Sequence, residues 1–157
     1  METAAWRIIE DDLSGAETRA LLEVHFAGML ATSPEGSCHF LDFDGLKSNG
    51  VTFWSIWDSD DLAGCGALKE LDPTHGELKS MRTAEAHLGR RVGAAILTHI
   101  LAVARSRGYE RVSLETGSGQ PFAAATRLYT KFGFEPCGPF GDYIDHPFSR
   151  FFTLRFT

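Results

Sequence analysis

The sequence predicts a mixed α/β fold, in which helices flank a sheet with both antiparallel and parallel strands. Segments rich in β-branched and aromatic residues alternate with segments of helical period. The strands come first as hairpins and later in β-α-β units, which favours a mixed sheet over a regular doubly wound one. The 157 residues suit one domain, residues 1–157, that can bury a core without disulfides or metal.

The N-terminal part predicts a short strand at residues 6–9 followed by a helix. Asp12 or Ser14 can cap this helix, and Ser33-Pro34 ends it. Four apolar residues are expected to form its buried stripe: Ala20, Leu21, Val24 and Met29. Residues 33–50 mix polar and apolar residues, and a second short helix in this stretch is one possibility.

Three strands are predicted next, at residues 51–58, 62–71 and 77–83. The first, VTFWSIWD, is rich in β-branched and aromatic residues, and Asp, Pro and Gly mark the turns between the strands. Alternation along the third strand places Leu78, Ser80 and Arg82 on one face.

In the C-terminal part, the apolar residues at 92–107 recur with a helical period, which predicts a helix. Gly108 is expected to end this helix as a C-terminal cap. A strand at 111–115 and a Gly/Ser/Pro loop lead to a second helix at 122–132, followed by Gly133. A last strand is predicted at 148–156. The element order is therefore β-α-(α)-β-β-β-α-β-α-β.

Charge and composition exclude several classes of partner. The net charge of -6 argues against nucleic acid or an anionic membrane, and it is compatible with a cationic amine. The sequence shows no signal peptide and no apolar run long enough to span a membrane, which predicts a cytoplasmic protein. Three cysteines without a CxxC pair indicate reduced thiols, and six histidines without metal-ligand spacing predict no metal site.

The loop between the strand at 77–83 and the helix at 92–107 has the character of an anion site. Gly89 and Gly93 let a phosphate approach the start of the helix, where backbone N–H groups lack partners. Arg90 and Arg91 add positive charge. Two glycines four apart are equally explained by packing or a turn. A Rossmann dinucleotide site fits less well, because no G-x-G-x-x-G is present.

In this segment, Met81 to Leu97, the sequence resembles the central motif of the GNAT superfamily of acetyl-CoA-dependent N-acetyltransferases. That motif usually reads (Arg/Gln)-x-x-Gly-x-(Gly/Ala). Leu88 stands where Arg or Gln is usual, Arg91 stands at the first glycine, and Gly93 matches the second.

A second region carries the same resemblance. Residues 125–134 (ATRLYTKFGF) are similar to the later family helix that ends in Leu-Tyr-x-x-x-Gly-Phe, with Tyr129 as its tyrosine. Four further stretches are similar to a small bacterial branch, the YsnE-like acetyltransferases: 33–34, 64–71, 114–118 and 137–143.

The resemblance implies the GNAT fold, a mostly antiparallel central sheet that is splayed at the cofactor site and flanked by helices. It also implies acetyl-CoA as cosubstrate and an amine as acceptor, and it leaves a homodimer open. The cofactor-binding residues that it implies are Met81, Arg82, Thr83, Leu88, Gly89, Arg90, Arg91, Val92, Gly93 and Ala94.

For catalysis, the resemblance makes Tyr129 the general acid that protonates the leaving thiolate; a packed aromatic is the alternative. Glu77 and Glu115 are the candidates for the base that deprotonates the amine, since each lies at an end of a predicted strand. Three further bases stay open: Glu70, His39 and His87. The polar-aromatic loop at 140–146 either closes over the acceptor or is a plain hairpin loop.

The function predicted from these residues is acetyl transfer from acetyl-CoA to a primary amine of an unidentified small-molecule acceptor, by direct attack. A non-catalytic acyl-CoA-binding or regulatory module is the first alternative, motivated by the atypical Leu88 and Arg91. An oxidoreductase that uses the same loop for a dinucleotide is the second.

Overall fold

The computed structural model describes residues 6–33 and 41–156. Seven strands and four α-helices lie within these residues. The strands are β1 (Trp6–Glu10), β2 (Val51–Asp58), β3 (Asp61–Asp72), β4 (His75–Thr83), β5 (Arg111–Gly117), β6 (Glu135–Cys137) and β7 (Ser149–Arg155). The helices are α1 (Ala16–Thr32), α2 (Phe43–Leu46), α3 (Val92–Ser106) and α4 (Ala123–Lys131). Single 3-10 turns at Glu85–His87 and Gln120–Phe122 precede α3 and α4.

All seven strands form one sheet in the order β1-β2-β3-β4-β5-β7-β6. Every neighbouring pair is antiparallel except β4 and β5, which run parallel. The prediction of a mixed and mostly antiparallel sheet is therefore confirmed. The parallel pair lies in the middle because α3 carries the chain from the end of β4 back to the start of β5.

Two apolar clusters cover the two faces of the sheet. On one face, α1 and α2 enclose a small cluster that includes Leu22, Leu46, Phe53 and Ala67. On the other face, α3 and α4 pack over the main core, which includes Ile56, Leu68, Ile96, Ile100, Leu114 and Phe152. Val92, Ile96 and Ile100 are buried and Val103 packs against them, as the helical period of residues 92–107 predicts. None of the helices in the described residues is long and apolar enough to cross a membrane.

The predicted element boundaries agree with the structure to within two residues, and one strand is missed. The missed strand, β6, is three residues long and contains Pro136, so it lacks the length and composition of a strand pattern. It forms only through pairing with β7. The short helix left open in residues 33–50 is α2, whose first turn is capped by Asp42.

Two expectations about α1 are wrong. The helix begins after Gly15 and has no side-chain cap, because Asp12 instead accepts hydrogen bonds from the backbone N–H and hydroxyl of Ser14. The predicted apolar stripe is not the buried face, since Val24 is 58% exposed. The buried residues are Thr18, Leu22 and His25. Leu22 packs in the apolar cluster with Phe53 and Ala67, and the hydroxyl of Thr18 donates to Asp11.

The regular alternation expected along β4 is also wrong. Cys65 pairs with Arg82 while Ala67 pairs with Lys79, so three residue steps on β4 stand opposite two on β3. This is a β-bulge, and Ser80 adopts a left-handed φ of 56° within it. Leu78 and Met81 consequently share the face that packs on α3, while Arg82 turns to the face that α1 covers.

Glycine on β3 allows α3 to pack closely against the sheet beside this bulge. A Cβ at Gly64 would lie 2.7 Å from the carbonyl oxygen of Arg82 and 2.9 Å from Cγ1 of Val92. The first of these atoms belongs to the backbone of β4 and cannot move without disturbing the strand.

We expect Gly64→Ala to lower the free energy of unfolding by about 1–3 kcal/mol, because the added methyl overpacks the β3–β4–α3 junction. Gly138→Ala is the matched control, since nothing lies within 4 Å of its added Cβ, and its change should stay within about 0.5 kcal/mol. Urea denaturation of both variants measures the difference. Equal stabilities would contradict the close packing.

Candidate active site

The sheet opens between β4 and β5, the only parallel neighbours among the described strands. They pair at three positions, His75–Arg111, Gly76–Val112 and Glu77–Ser113, and pair no further. Beyond Glu77 the edge of β4 that faces β5 therefore carries backbone N–H and C=O groups without sheet partners. Such groups bind well to a ligand that lies between the strands.

Two neighbouring hollows fill this opening. The larger, which we call the groove, has a volume of about 750 Å³ and runs along the start of α3 to α4. Nine of the ten residues predicted to bind the cofactor line it: Met81, Arg82, Thr83, Leu88, Gly89, Arg91, Val92, Gly93 and Ala94. The smaller, which we call the cavity, has a volume of about 290 Å³ and lies between β4, β5 and α1.

The start of α3 presents unpaired backbone donors to the groove. The helical hydrogen-bond ladder begins with the N–H of Ala95 donating to the carbonyl of Arg91, so the N–H groups of Val92, Gly93 and Ala94 have no helical acceptor. The helix dipole adds partial positive charge at the same place. Nothing lies within 4 Å of a Cβ built on Gly89, so the loop leaves open space for a phosphate. These features fit a pyrophosphate.

Arg91 occupies the position where the resembled motif has its first glycine, and the backbone shows why glycine is usual there. Its φ of 64° and ψ of 28° are left-handed, a conformation that costs an ordinary L-residue about 1–2 kcal/mol. The exposed side chain lines the groove, so its charge can reach an anion there.

Arg90 is the one predicted cofactor residue that the structure places outside the groove. Its guanidinium donates to Asp58 at 3.0 Å and lies over the ring of Trp6, on the opposite side of the loop. Its backbone N–H donates to the carbonyl of His87. The charge that was expected to bind phosphate is therefore engaged by Asp58, and the backbone N–H is engaged by His87.

The groove and the cavity meet at five shared residues: Met81, Arg82, Pro121, Ala125 and Tyr129. Tyr129 is 7% exposed and stands on α4 with its ring held edge-on against Phe134. Burial raises the pKa of its hydroxyl above the usual value. The phenol therefore stays protonated at neutral pH and can donate a proton at the junction.

The two predicted carboxylate bases lie in different surroundings. Glu115 on β5 lines the cavity. Glu77 is 2% exposed and lies behind the cavity wall, where its carboxylate accepts hydrogen bonds from Lys79 Nζ at 3.1 Å and from the hydroxyl of Tyr143. Burial and then the charge of Glu77 raise the pKa of Tyr143, so this hydroxyl remains a donor.

The loop at 140–146 packs under the sheet opening. Phe140 is buried against His75 and Phe151, and Tyr143 hydrogen-bonds to both Lys79 and Glu77. The loop therefore stabilises the floor of the opening, and no residue of it lines the cavity among the described residues.

The alternative bases lie away from the cavity or outside the described residues. Glu70 accepts a hydrogen bond from the hydroxyl of Tyr109 at 2.8 Å. His87 is buried, and its Nε2 lies 3.6 Å from Oδ2 of Asp58. His39 lies outside the residues that the structure describes.

Cys65 is fully buried, and burial raises the pKa of its thiol to about 12, so it is not a nucleophile. Within residues 6–33 and 41–156, no cluster of three potential metal ligands is present.

Several residues around the opening were missed by the sequence analysis. His25, Gly28 and Met29 of α1 line the cavity, and Leu128 and Lys131 of α4 line the groove. The α4 residues share the helical stripe of Tyr129, so the spacing 124, 125, 128, 131 and 132 was a usable signal. The α1 residues gave no such signal, because only the tertiary structure lays that helix across β4.

Comparisons with known proteins agree with this geometry. The family model described as Acetyltransferase (GNAT) family matches residues 15–134. The uncharacterized N-acetyltransferases YsnE of Bacillus subtilis (strain 168) and YedL of Escherichia coli (strain K12) are 50% and 52% identical to this chain. Each alignment covers 92% of this chain, with 96% of YsnE and 91% of YedL.

A solved structure from Klebsiella pneumoniae subsp. pneumoniae, assigned as an acyl-CoA N-acyltransferase, matches with a TM-score of 0.78 and 27% identity. The match covers 97% of this chain and 98% of that one. The chain therefore belongs to the GNAT family of acetyltransferases, and its cosubstrate is acetyl-CoA.

We expect Arg91→Gly to raise the free energy of unfolding by up to about 1 kcal/mol, because glycine adopts the left-handed conformation without strain. The same change should weaken CoA binding by about 2- to 5-fold at low salt, since it removes a charge at the groove. Denaturation and calorimetric titration with CoA measure the two effects.

Arg90→Gly is the control for this pair of measurements. Its side chain binds Asp58 and its φ is not left-handed, so stability should fall while CoA affinity changes less than in Arg91→Gly. An unchanged CoA affinity in Arg91→Gly would show that Arg91 adds nothing to phosphate binding.

Proposed function

We propose that this chain transfers the acetyl group of acetyl-CoA, bound in the groove, to a primary amine bound in the cavity, by direct attack. The observation that carries the proposal is the junction of the two hollows at Met81 and Tyr129. A thioester reaching along the groove meets an amine in the cavity there, beside a protonated phenol. The whole chain, residues 1–157, acts as one catalytic domain in the cytoplasm, and dimer formation stays a prediction.

The groove residues would hold acetyl-CoA in two ways. The backbone N–H groups of Val92, Gly93 and Ala94 face the pyrophosphate, with Arg91 and Lys131 adding charge at the groove walls. The backbone of Met81 and Thr83, exposed by the sheet opening, hydrogen-bonds the pantetheine arm and polarises the thioester carbonyl, as the family resemblance implies. Leu88 supplies apolar contact in place of a cation.

An amine must lose its proton before it attacks, because free alkyl amines have a pKa of about 10. We assign the base to Glu115, whose side chain lines the cavity that would hold the amine. Tyr129 then donates its proton to the departing sulfur. Because its raised pKa keeps this hydroxyl protonated at neutral pH, the proton is still on Tyr129 when negative charge develops on the sulfur.

Glu77 has a different role in this proposal. Its carboxylate accepts hydrogen bonds from Lys79 and Tyr143 and is shielded from the cavity by its neighbours. It therefore positions Lys79, which lines the cavity, and does not contact the amine.

The proposed function is tested by thiol release from acetyl-CoA across a broad panel of amines, with wild type and Tyr129→Phe. We expect Tyr129→Phe to lower kcat by about 100-fold, since a positioned acid contributes about 10²–10⁴, while the Kd for CoA changes by less than about 3-fold. Calorimetry measures the Kd. The phenyl ring keeps its contact with Phe134, so folding should be retained.

Two outcomes would contradict this proposal. Unchanged turnover in Tyr129→Phe would remove Tyr129 from the mechanism. Tight CoA binding without thiol release for any amine would instead favour the non-catalytic acyl-CoA-binding module.

The assignment of the base is tested with Glu115→Gln and its matched control Glu77→Gln. We expect Glu115→Gln to lower kcat/KM at neutral pH by about 100-fold, with the loss shrinking near pH 10, where solvent deprotonates the amine. Glu77→Gln keeps acceptors for Tyr143 and Lys79, so it should lose less than about 10-fold without recovery at high pH. The reverse pattern would exchange the two roles.

A further inference from the structure

The cavity contains a guanidinium that no described residue neutralises. Arg82 is partly buried and lines both the cavity and the groove. Among residues 6–33 and 41–156, its side chain donates no hydrogen bond and forms no ion pair. A buried or half-buried arginine is usually paired, so its position requires another explanation.

The fold places this guanidinium through two specific features. The bulge at Ser80 turns Arg82 from the α3 face of β4 to the α1 face, where the cavity lies. Gly28 of α1 then leaves the space that it needs, since a Cβ there would come within 3.3 Å of an Arg82 guanidinium nitrogen. Two elements distant in sequence therefore fit around one charged group.

The neighbours of Arg82 within the cavity do not cancel its charge. His25 lies on α1 beside it, and burial followed by the Arg82 charge lowers the pKa of His25 to about 4. The imidazole is therefore neutral at pH 7, and its Nδ1 is buried with no hydrogen-bond partner among the described residues. Thr32 and Thr116 add hydroxyls to the cavity wall.

The carboxylate of the cavity lies on the other wall. Glu115 stands on β5, near enough to Tyr143 to raise the pKa of that hydroxyl, whereas Arg82 acts on His25 and Cys65 toward α1. Lys79, between these regions, is held by Glu77 and Tyr143. The cavity is therefore negative near β5 and positive near α1.

We propose that Arg82 binds a carboxylate of the acceptor, so that the substrate class is a small amino-carboxylic acid rather than a simple amine or a polyamine. The amine points to Glu115 and the junction, while the carboxylate lies on Arg82 as a charge-assisted, bidentate pair. Met29, Leu114 and Phe122 line the same cavity and accept an apolar body. The inference rests on the proposed acetyl transfer to an amine.

The net charge of -6 and the local charge act in different ways here. The overall charge attracts cations at long range, but screening over about 10 Å leaves recognition inside the cavity to Arg82 and Glu115. A polyamine would place a cation against the guanidinium of Arg82 and would be rejected.

The test uses matched acceptors, the common L-amino acids and the amide of each, with wild type, Arg82→Gln and Arg82→Lys. Thiol release gives kcat/KM, and mass spectrometry identifies the acetylated product. We expect wild type to prefer the acid over its amide by about 10- to 100-fold, because the amide leaves the guanidinium unpaired. Arg82→Gln should abolish that preference mainly through KM, and Arg82→Lys should restore part of it.

Two control measurements separate the inference from the proposed function. The CoA affinity of Arg82→Gln, measured without acceptor, reports what this guanidinium contributes to the groove that it also lines. The acid-to-amide ratio is therefore compared within each variant at saturating acetyl-CoA, where that contribution cancels. Calorimetric titration of the CoA-loaded protein with the same acids and amides measures the preference without turnover.

The outcomes are distinct. Equal kcat/KM for acids and amides in wild type would overturn the inference and leave acetyl transfer standing. A retained preference in Arg82→Gln would also overturn it. If no amine is acetylated, the proposed function fails, and the binding preference of the CoA-loaded protein then decides the inference alone.

Discussion

The hydrogen bonding of one strand, β4, sets the arrangement of the whole site. β4 pairs with β3 along nearly its full length, but with β5 only from His75 to Glu77. A backbone edge in the middle of a sheet is thereby left for a ligand, where an ordinary sheet would satisfy every N–H and C=O group internally. The groove, the cavity and the junction at Tyr129 all exist because β5 turns away at this point.

The opening is kept rigid by close packing on either side of β4. Gly64 brings β3 close to Val92 at the start of α3, and a Cβ at Gly66 would meet Met81 and Ile100. The donors at the start of α3 are therefore held at a fixed distance from the exposed backbone of β4. A pyrophosphate and a pantetheine arm need these two sets of donors at once, so packing precision and cofactor recognition have the same origin.

The charged groups around the cavity differ in depth as well as in sign: some lie behind the cavity wall and others line it. Glu77, Lys79 and Tyr143 satisfy one another behind the cavity wall, which makes a buried carboxylate tolerable without giving it to the substrate. Glu115 and Arg82 face the cavity from opposite walls. The structure therefore separates a hydrogen-bonded cluster that supports one wall of the cavity from charged side chains that line the cavity itself.

The sequence by itself determined the mixed sheet, the order of every element except β6, and the glycine-containing loop that leads into α3. These features depend on local composition, period and motif: VTFWSIWD reads as a strand, and Gly89 and Gly93 mark the start of α3. Only the tertiary structure decided the bulge at Ser80, the engagement of Arg90 by Asp58 and the covering of β4 by α1. A one-residue bulge reverses the face of every later side chain, and pairing partners such as Asp58 lie far away in sequence, so no local pattern carries that information.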